Sequence, residues 1–341
     1  MRQEIDCIII DDQARHHPMV ARFLERFPDA RIIDCTPGDR LTVCRKEVRS
    51  PKRTVYLAHH RGSFLKPFPH HKWYGDHLGC YHNLILGYNC FASCRYCFIQ
   101  TIFDTSVPAV YVNSDEMTTE VAAFLSANPD AIISTGEYID SLQLDEVTGY
   151  TKTLTGLFDR FPKSTLELRT KSDHVSHLPD DPPHGVLVSY SINPPDVVDI
   201  AEPGTVDLDA RLGGAKHLHD KGYRIAFRLD PIVPAEEFVG GYRELPAFIQ
   251  KSFGWDKISR VFLGALRFDH ALLKKMCASI GGRRLLDAEF VPCPDGYFRP
   301  TKYSRIRAYR SLVSEIQRYT RDIDISITME PDYVRRAVFA A

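Results

Sequence analysis

From residue 83 onward, short apolar runs alternate with helical stretches, and that alternation restricts the chain to a parallel sheet wrapped by helices. The strand-like runs are 83–86, 109–112, 131–135, 165–169, 186–190, 224–228 and 260–266, with helical patterns at 114–126, 144–161, 207–221 and 244–252. Ahead of them, apolar runs at 4–10 and 31–35 flank a helical stretch at 17–27, a compact βαβ-like opening. We therefore expect an α/β protein in three parts. A small N-terminal βαβ domain and linker (1–80) precedes a parallel (β/α) barrel (81–290), and a basic, aromatic segment with a helix (291–341) follows. In such a barrel, reactive groups gather where the strands end, because the βα loops converge there. The linker around 61–73 is rich in His and Pro, with His59, His60, His70 and His71 in or beside it. Clustered histidines suggest a metal, but flanking prolines and the lack of a common helical face favour a solvated loop.

The loop expected after the first barrel strand carries Cys90, Cys94 and Cys97 in a CxxxCxxC run. Short spans let one loop present each thiolate to a different iron of a 4Fe-4S cube, leaving the fourth iron open. The spacing resembles the signature of radical S-adenosylmethionine enzymes. In these the methionine amine and carboxylate chelate the open iron, and one electron cleaves the sulfonium to a 5′-deoxyadenosyl radical. The electron would come from a donor such as flavodoxin or ferredoxin. Two plainer readings compete. Zinc would need a fourth ligand, which Cys80, His82 or another histidine could supply, although no second CxxC pair follows. Buried packing cysteines are common, yet three at this spacing beside Tyr96 and Phe98 would be an improbable coincidence.

Other chemical residues fall at strand ends. Gly136 and Glu137 follow 131–135: the glycine would admit a close backbone approach, and the carboxylate could accept a hydrogen bond from the methionine ammonium. A plain helix N-terminal region is the alternative. Lys171 follows 165–169, and Ser191 and Asn193 follow 186–190, a cation and small polar groups suited to a carboxylate and ribose hydroxyls. Arg228 and Asp230 close 224–228 and could simply pair with each other. Arg267 is a candidate for an anionic or carbonyl-bearing substrate. The stretch 293–310 interleaves aromatics with basic residues, among them Lys302 and Tyr303. It could hold phosphates and stack bases, or be the exposed face of a helix at 303–319.

Composition narrows the partners. Basic and acidic residues nearly cancel, 43 against 44, so no global field draws the chain to nucleic acid, although a local basic groove is compatible with this. The first twelve residues lack a basic region followed by a long apolar core, and no run approaches the ~20 apolar residues of a membrane helix. A cytoplasmic chain without a membrane partner is expected. Nine cysteines without a secretion signal read as thiols plus a cluster rather than as a disulfide framework.

In the segments CFASCRYCFIQT, LRTKSDHVSHL, SYSIN, EPGTVDLDARL and AKHLHDKGYRIAF, and above all in their order, the chain resembles the spore photoproduct lyase family of radical S-adenosylmethionine enzymes. The resemblance runs over nearly the full length. It implies an incomplete parallel barrel behind an N-terminal βαβ domain, a 4Fe-4S cluster on Cys90, Cys94 and Cys97, and cofactor contacts at Lys171 and Ser191. It also implies that Arg267, Lys302 and Tyr303 grip thymine-dimer DNA. Two departures bear on mechanism. The family's hydrogen-donor cysteine falls near Glu137 here, and no cysteine lies between Cys97 and Cys277. The second relay tyrosine is Phe98, which has no O–H, while Tyr96 remains. A carboxylic O–H is too strong a bond to quench a carbon radical readily, so Glu137 better suits the cofactor amine. Either Tyr96, Tyr138 or a distant cysteine donates instead, or the product radical is not quenched that way.

Three functions are consistent with these residues. The first is hydrogen abstraction from a pyrimidine nucleoside-like or DNA-lesion substrate with an altered relay. The second is C–C bond formation or rearrangement on a free nucleoside, as in tunicamycin-type assembly, which near-zero net charge mildly favours. The third, of another class, is a zinc-stabilised, non-catalytic nucleic-acid-binding protein.

Overall fold

The computed structural model describes residues 3–68 and 79–340, so His70 and His71 lie outside the described residues. The chain divides into two compact units. The first takes the chain up to Phe68 with Cys80–Ala92 and Ile99–Leu187; the second takes Ser93–Phe98 and the chain from Val188 onward.

A five-stranded sheet in the first unit runs in the order β2-β1-β3-β7-β6. Its strands are β1 (Cys7–Asp11), β2 (Arg31–Cys35), β3 (Thr54–Ala58), β6 (Gly87–Tyr88) and β7 (Ala109–Tyr111). Every residue of β1 and β3 is buried, as expected of parallel strands covered on both faces. Burying Ile8, Ile9 and Ile10 contributes roughly 1.5–3 kcal/mol each. The helix Pro18–Arg26 follows β1 with Pro18 at its first position and the His17 ring accepting from the Met19 N–H. Cys7, Cys35 and Cys44 pack into this core with Tyr56 and Tyr88, and none of the nine cysteines is in a disulfide. His59 and His60 stand just past β3, where His60 stacks on Tyr111 with ring centroids 4.3 Å apart and His59 faces Glu116 at 3.3 Å. They are half-buried rather than solvated.

Eight strands form the second sheet, in the order β15-β12-β11-β10-β9-β8-β5-β4. They are β4 (Leu65–Pro67), β5 (Tyr81–Leu84), β8 (Ile132–Thr135), β9 (Thr165–Thr170), β10 (Val186–Ser191), β11 (Arg224–Ile232), β12 (Ile258–Ala265) and β15 (Asp324–Ile327). The pairings β5/β8, β8/β9, β11/β12 and β12/β15 are parallel, and the short β4 is antiparallel to its neighbour β5. With helices following most strands, this is the α/β class with the incomplete (β/α) barrel expected. A short hairpin, β13 (Phe290–Pro292) and β14 (Phe298–Pro300), precedes the helix Lys302–Gln317.

Several sequence expectations are corrected. The run 109–112 is not a barrel strand: as β7 it pairs with β3 in the five-stranded sheet. A short apolar run carries no mark of which sheet it joins. For the same reason the cysteine loop does not follow the first barrel strand directly, since the chain passes through β6, antiparallel to β7, on the way. The helix expected over 144–161 breaks into Asp145–Thr148 and Tyr150–Phe158 at Gly149, whose φ of 68° only glycine adopts at little cost. The helix expected from 244 begins at Glu236, carrying Gly240, Gly241 and Pro246 within it, the residues that conceal it from a propensity reading. Among the described residues no helix is long and apolar enough to cross a membrane.

Candidate functional site

Within the first unit, the cysteine loop leaves β6 through Asn89, a non-glycine residue at φ 60°. The buried Asn89 amide donates to the carbonyls of Thr105 (2.7 Å) and Val107 (2.9 Å), which supports the left-handed turn. Lys52 Nζ donates to the Cys90 carbonyl, and the Cys90 thiol lies 3.5 Å from Gln143 Oε1. Burial, reinforced by Asp140, pushes the Cys90 thiol up. A bare thiolate is disfavoured there, whereas coordination to a metal would deprotonate it outright.

The Cys94 and Cys97 portion belongs to the second unit, where main-chain bonds pin it. Ser93 N–H donates to the Pro203 carbonyl and Arg95 N–H to that of Ala201, both at 2.7 Å. The Arg95 guanidinium adds a bond to the Ile200 carbonyl at 2.8 Å. Tyr96 donates its O–H to Glu202 and is raised well above the ordinary phenol range by burial and then by that carboxylate.

The donor set fits a cubane. Three cysteines outside any disulfide stand on one loop, and a cubane takes each thiolate at a different iron, so the sulfurs need not converge on a point. Among the described residues no three His, Cys, Asp or Glu side chains gather as the ligands of a single ion would. The two named zinc candidates face each other, the Cys80 thiol lying 3.9 Å from His82 Nδ1 and 3.8 Å from Asn128 Oδ1.

Around the ends of β8 and β9, the first unit builds a polar cluster. Gly136 sits at φ 86°, and a Cβ there would lie 2.7 Å from the Arg169 carbonyl oxygen and 2.8 Å from Ser141 Oγ. The close approach expected of this glycine is thus made by the chain itself. Gly136→Ala is expected to cost about 2–4 kcal/mol, combining left-handed strain with overpacking. Urea unfolding tests this, and an unchanged midpoint would contradict it. Glu137 is ion-paired to Arg169 at 2.5 Å, and Arg169 also reaches Tyr81 and Glu167. The residue that positions Lys171 was not picked out from the sequence: Asp140 accepts from the Lys171 N–H (2.8 Å), Thr170 Oγ1 (2.8 Å) and the Leu142 N–H (2.9 Å). Asn83, beside Ser134 in the β5/β8 register, is only 2% exposed, and its side-chain oxygen has no hydrogen-bond partner among the described residues.

The second unit holds the remaining candidates. The Ser191 carbonyl accepts from Arg211 at 2.9 Å, and the buried Asn193 amide donates to Glu202 at 2.8 Å. Arg228 acts on Asp230 through its charge. Arg228 lies over the Phe262 ring, 3.8 Å from its centroid, while Asp230 pairs with Arg267 at 2.7 Å and accepts from Thr328. Burial opposes ionisation of Asp230, but Arg267 beside it wins and holds the carboxyl below its usual value. The basic, aromatic stretch separates by role. Arg299 is buried against Asp295, Arg305 against Glu330, and Tyr309 donates to Glu330, all internal partners. Lys302 and Tyr303 open the helix Lys302–Gln317 at the surface, with Tyr303 77% exposed and the Lys302 ammonium 4.9 Å from its ring centroid.

The family model for spore photoproduct lyase matches residues 80–269. The chain belongs to the spore photoproduct lyase family. It is 29% identical over 164 residues to the spore photoproduct lyase of Geobacillus sp., a match covering 47% of this chain and 48% of that protein. It is 30% identical over 161 residues to that of Bacillus subtilis, covering 46% and 47%. The matched stretch spans about half the length of those two relatives. In structure it resembles a cysteine-to-alanine mutant of spore photoproduct lyase, with a TM-score of 0.82 at 18% identity over 96% of this chain and 100% of that one. Spore photoproduct lyase complexed with dinucleoside spore photoproduct gives 0.81 at the same identity and coverage. Spore photoproduct lyase thus shares this fold, incomplete barrel included.

Proposed function

We propose that the chain is a radical S-adenosylmethionine enzyme of the spore photoproduct lyase type, acting on a pyrimidine lesion or a nucleoside-like relative of one. The observation that carries this reading is the loop with three cysteines outside any disulfide, Cys90, Cys94 and Cys97, within a chain of this family. These residues would hold a 4Fe-4S cluster that, when bound and supplied with one electron, cleaves S-adenosylmethionine to a 5′-deoxyadenosyl radical. Gly136, Glu137 and Lys171 of the first unit and Ser191, Asn193 and Arg228 of the second would be the residues that bind and orient the cofactor. Glu137 would offer a carboxylate to the methionine ammonium, with Arg169 fixing its direction. Tyr96, held by Glu202, is the remaining tyrosine of the relay, since Phe98 cannot donate. One solved relative carries bound AdoMet and dinucleoside spore photoproduct, which supports both the cofactor and a nucleic-acid-lesion substrate.

The test is to incubate the reconstituted, reduced protein with deuterated spore-lesion dinucleotide and, separately, with deuterated nucleosides. Deuterium in 5′-deoxyadenosine from the dinucleotide supports repair with an altered relay. Label only from a free nucleoside moves the function to nucleoside rearrangement, and label from neither sinks the proposal. Lesion recognition also predicts that Lys302→Ala with Tyr303→Ala weakens oligonucleotide binding about tenfold or more, through a lost phosphate contact and a lost stacking face. Fluorescence anisotropy at fixed salt measures it, and equal affinity would argue against a DNA substrate.

A further inference from the structure

Glu202 and Arg211 form a fully buried ion pair at 2.5 Å, and what they bond beyond each other is unusual for a core pair. Glu202 accepts from the Tyr96 O–H on the cysteine loop and from Asn193 Nδ2 at 2.8 Å. Arg211 spends its donors on main chain and hydroxyl: the Ser191 carbonyl at 2.9 Å, the Val206 carbonyl at 3.0 Å and Thr205 Oγ1 at 2.7 Å. Asn193 is fixed from its other side, since Tyr242 donates to its Oδ1 at 2.8 Å while accepting from the Val233 N–H at 2.9 Å. Tyr96, Ser191 and Asn193 are therefore set by one pair of charges.

We propose that the Glu202–Arg211 pair is the positioning device of the cofactor-binding groups in this unit. This rests on the proposed function for what those groups bind, but not for how they are held. A buried charge pair suits such a role, because the rigid guanidinium fork fixes direction and removing one partner strands the other without water. An apolar pair of similar volume would fill the same space and orient neither the phenol nor the Ser191 carbonyl. Glu202 and Arg211 are positioning residues, acting through groups that would touch the cofactor.

Hydrogen exchange on the full-length, cluster-free chain tests the device without any reaction. Glu202→Gln strands Arg211 and is expected to speed exchange of the Ser93, Arg95 and Ile192 amides by about tenfold or more, while those of β1 stay unchanged. Tyr96→Phe removes one arm and should speed Ser93 and Arg95 but leave Ile192 at the wild-type rate, which a general loss of stability would not do. Unchanged exchange at all three amides in Glu202→Gln overturns the proposal, as does a uniform increase with Tyr96→Phe. If Glu202→Gln does not fold, Tyr96→Phe decides alone. A separate titration of the reconstituted proteins with S-adenosylmethionine, followed by electron paramagnetic resonance, should show at least about tenfold weaker binding in Glu202→Gln. Wild-type protein that binds no S-adenosylmethionine sinks the functional reading, and the exchange pattern still decides the positioning role.

Discussion

Cys90→Ala is expected to yield a colourless protein after anaerobic reconstitution, with 5′-deoxyadenosine formation below about one thousandth of wild type, more than ~4 kcal/mol of lost transition-state stabilisation. The structure makes this a clean substitution. Asn89 holds the turn through the Thr105 and Val107 carbonyls, and Lys52 holds the Cys90 carbonyl rather than its sulfur. The loop should therefore keep its path when the thiol is gone, and what is lost is an iron ligand. Iron analysis, electron paramagnetic resonance and chromatography of the cleavage product measure the outcome. Retained cleavage would refute the cluster assignment, and bound zinc with no cleavage by wild type would favour a non-catalytic protein.

The second large effect concerns stability. Arg305→Met is expected to destabilise the protein by about 3–5 kcal/mol, because Glu330, buried and paired to Arg305 at 2.7 Å, loses the cation bound to it away from water. Burial already pushes the Glu330 carboxyl up, with Arg305 opposing it. Arg305 also donates to the Pro300 carbonyl, and Ala265 at the end of β12 donates to Tyr309, so the pair anchors the helix that carries Lys302 and Tyr303. Adding Glu330→Leu should recover much of the loss, since an apolar pair of similar volume needs no counter-charge. Denaturant midpoints of the single and double variants decide it: no recovery in the double variant would show that packing, not the stranded charge, sets the cost.

Some of this was legible from residue order because local chemistry carries it. The βαβ opening shows in Cys7–Asp11, Pro18–Arg26 and Arg31–Cys35, where apolar periodicity and a proline at the first helical position act over short range. The strand-helix alternation from β8 to β12 shows for the same reason. The barrel edges did not. β4 is three residues long and β15 four, too short for a pattern, and each is specified by the neighbour it pairs with. The 109–112 run was legible as a strand but not as a member of the five-stranded sheet.

The same division runs through the candidate site. Residue order alone supplied the three-thiol loop, the absence of any cysteine between Cys97 and Cys277, and phenylalanine at 98, because ligand spacing and bond chemistry are properties of the covalent chain. It could not say that Asp230 pairs with Arg267, that Glu137 is tied to Arg169, or that one carboxylate at 202 reaches both Tyr96 and Asn193. Three of those pairings join residues more than thirty positions apart in sequence. Which charges meet depends on which strand ends and helix faces fold together, and burial then makes each partnership costly to exchange.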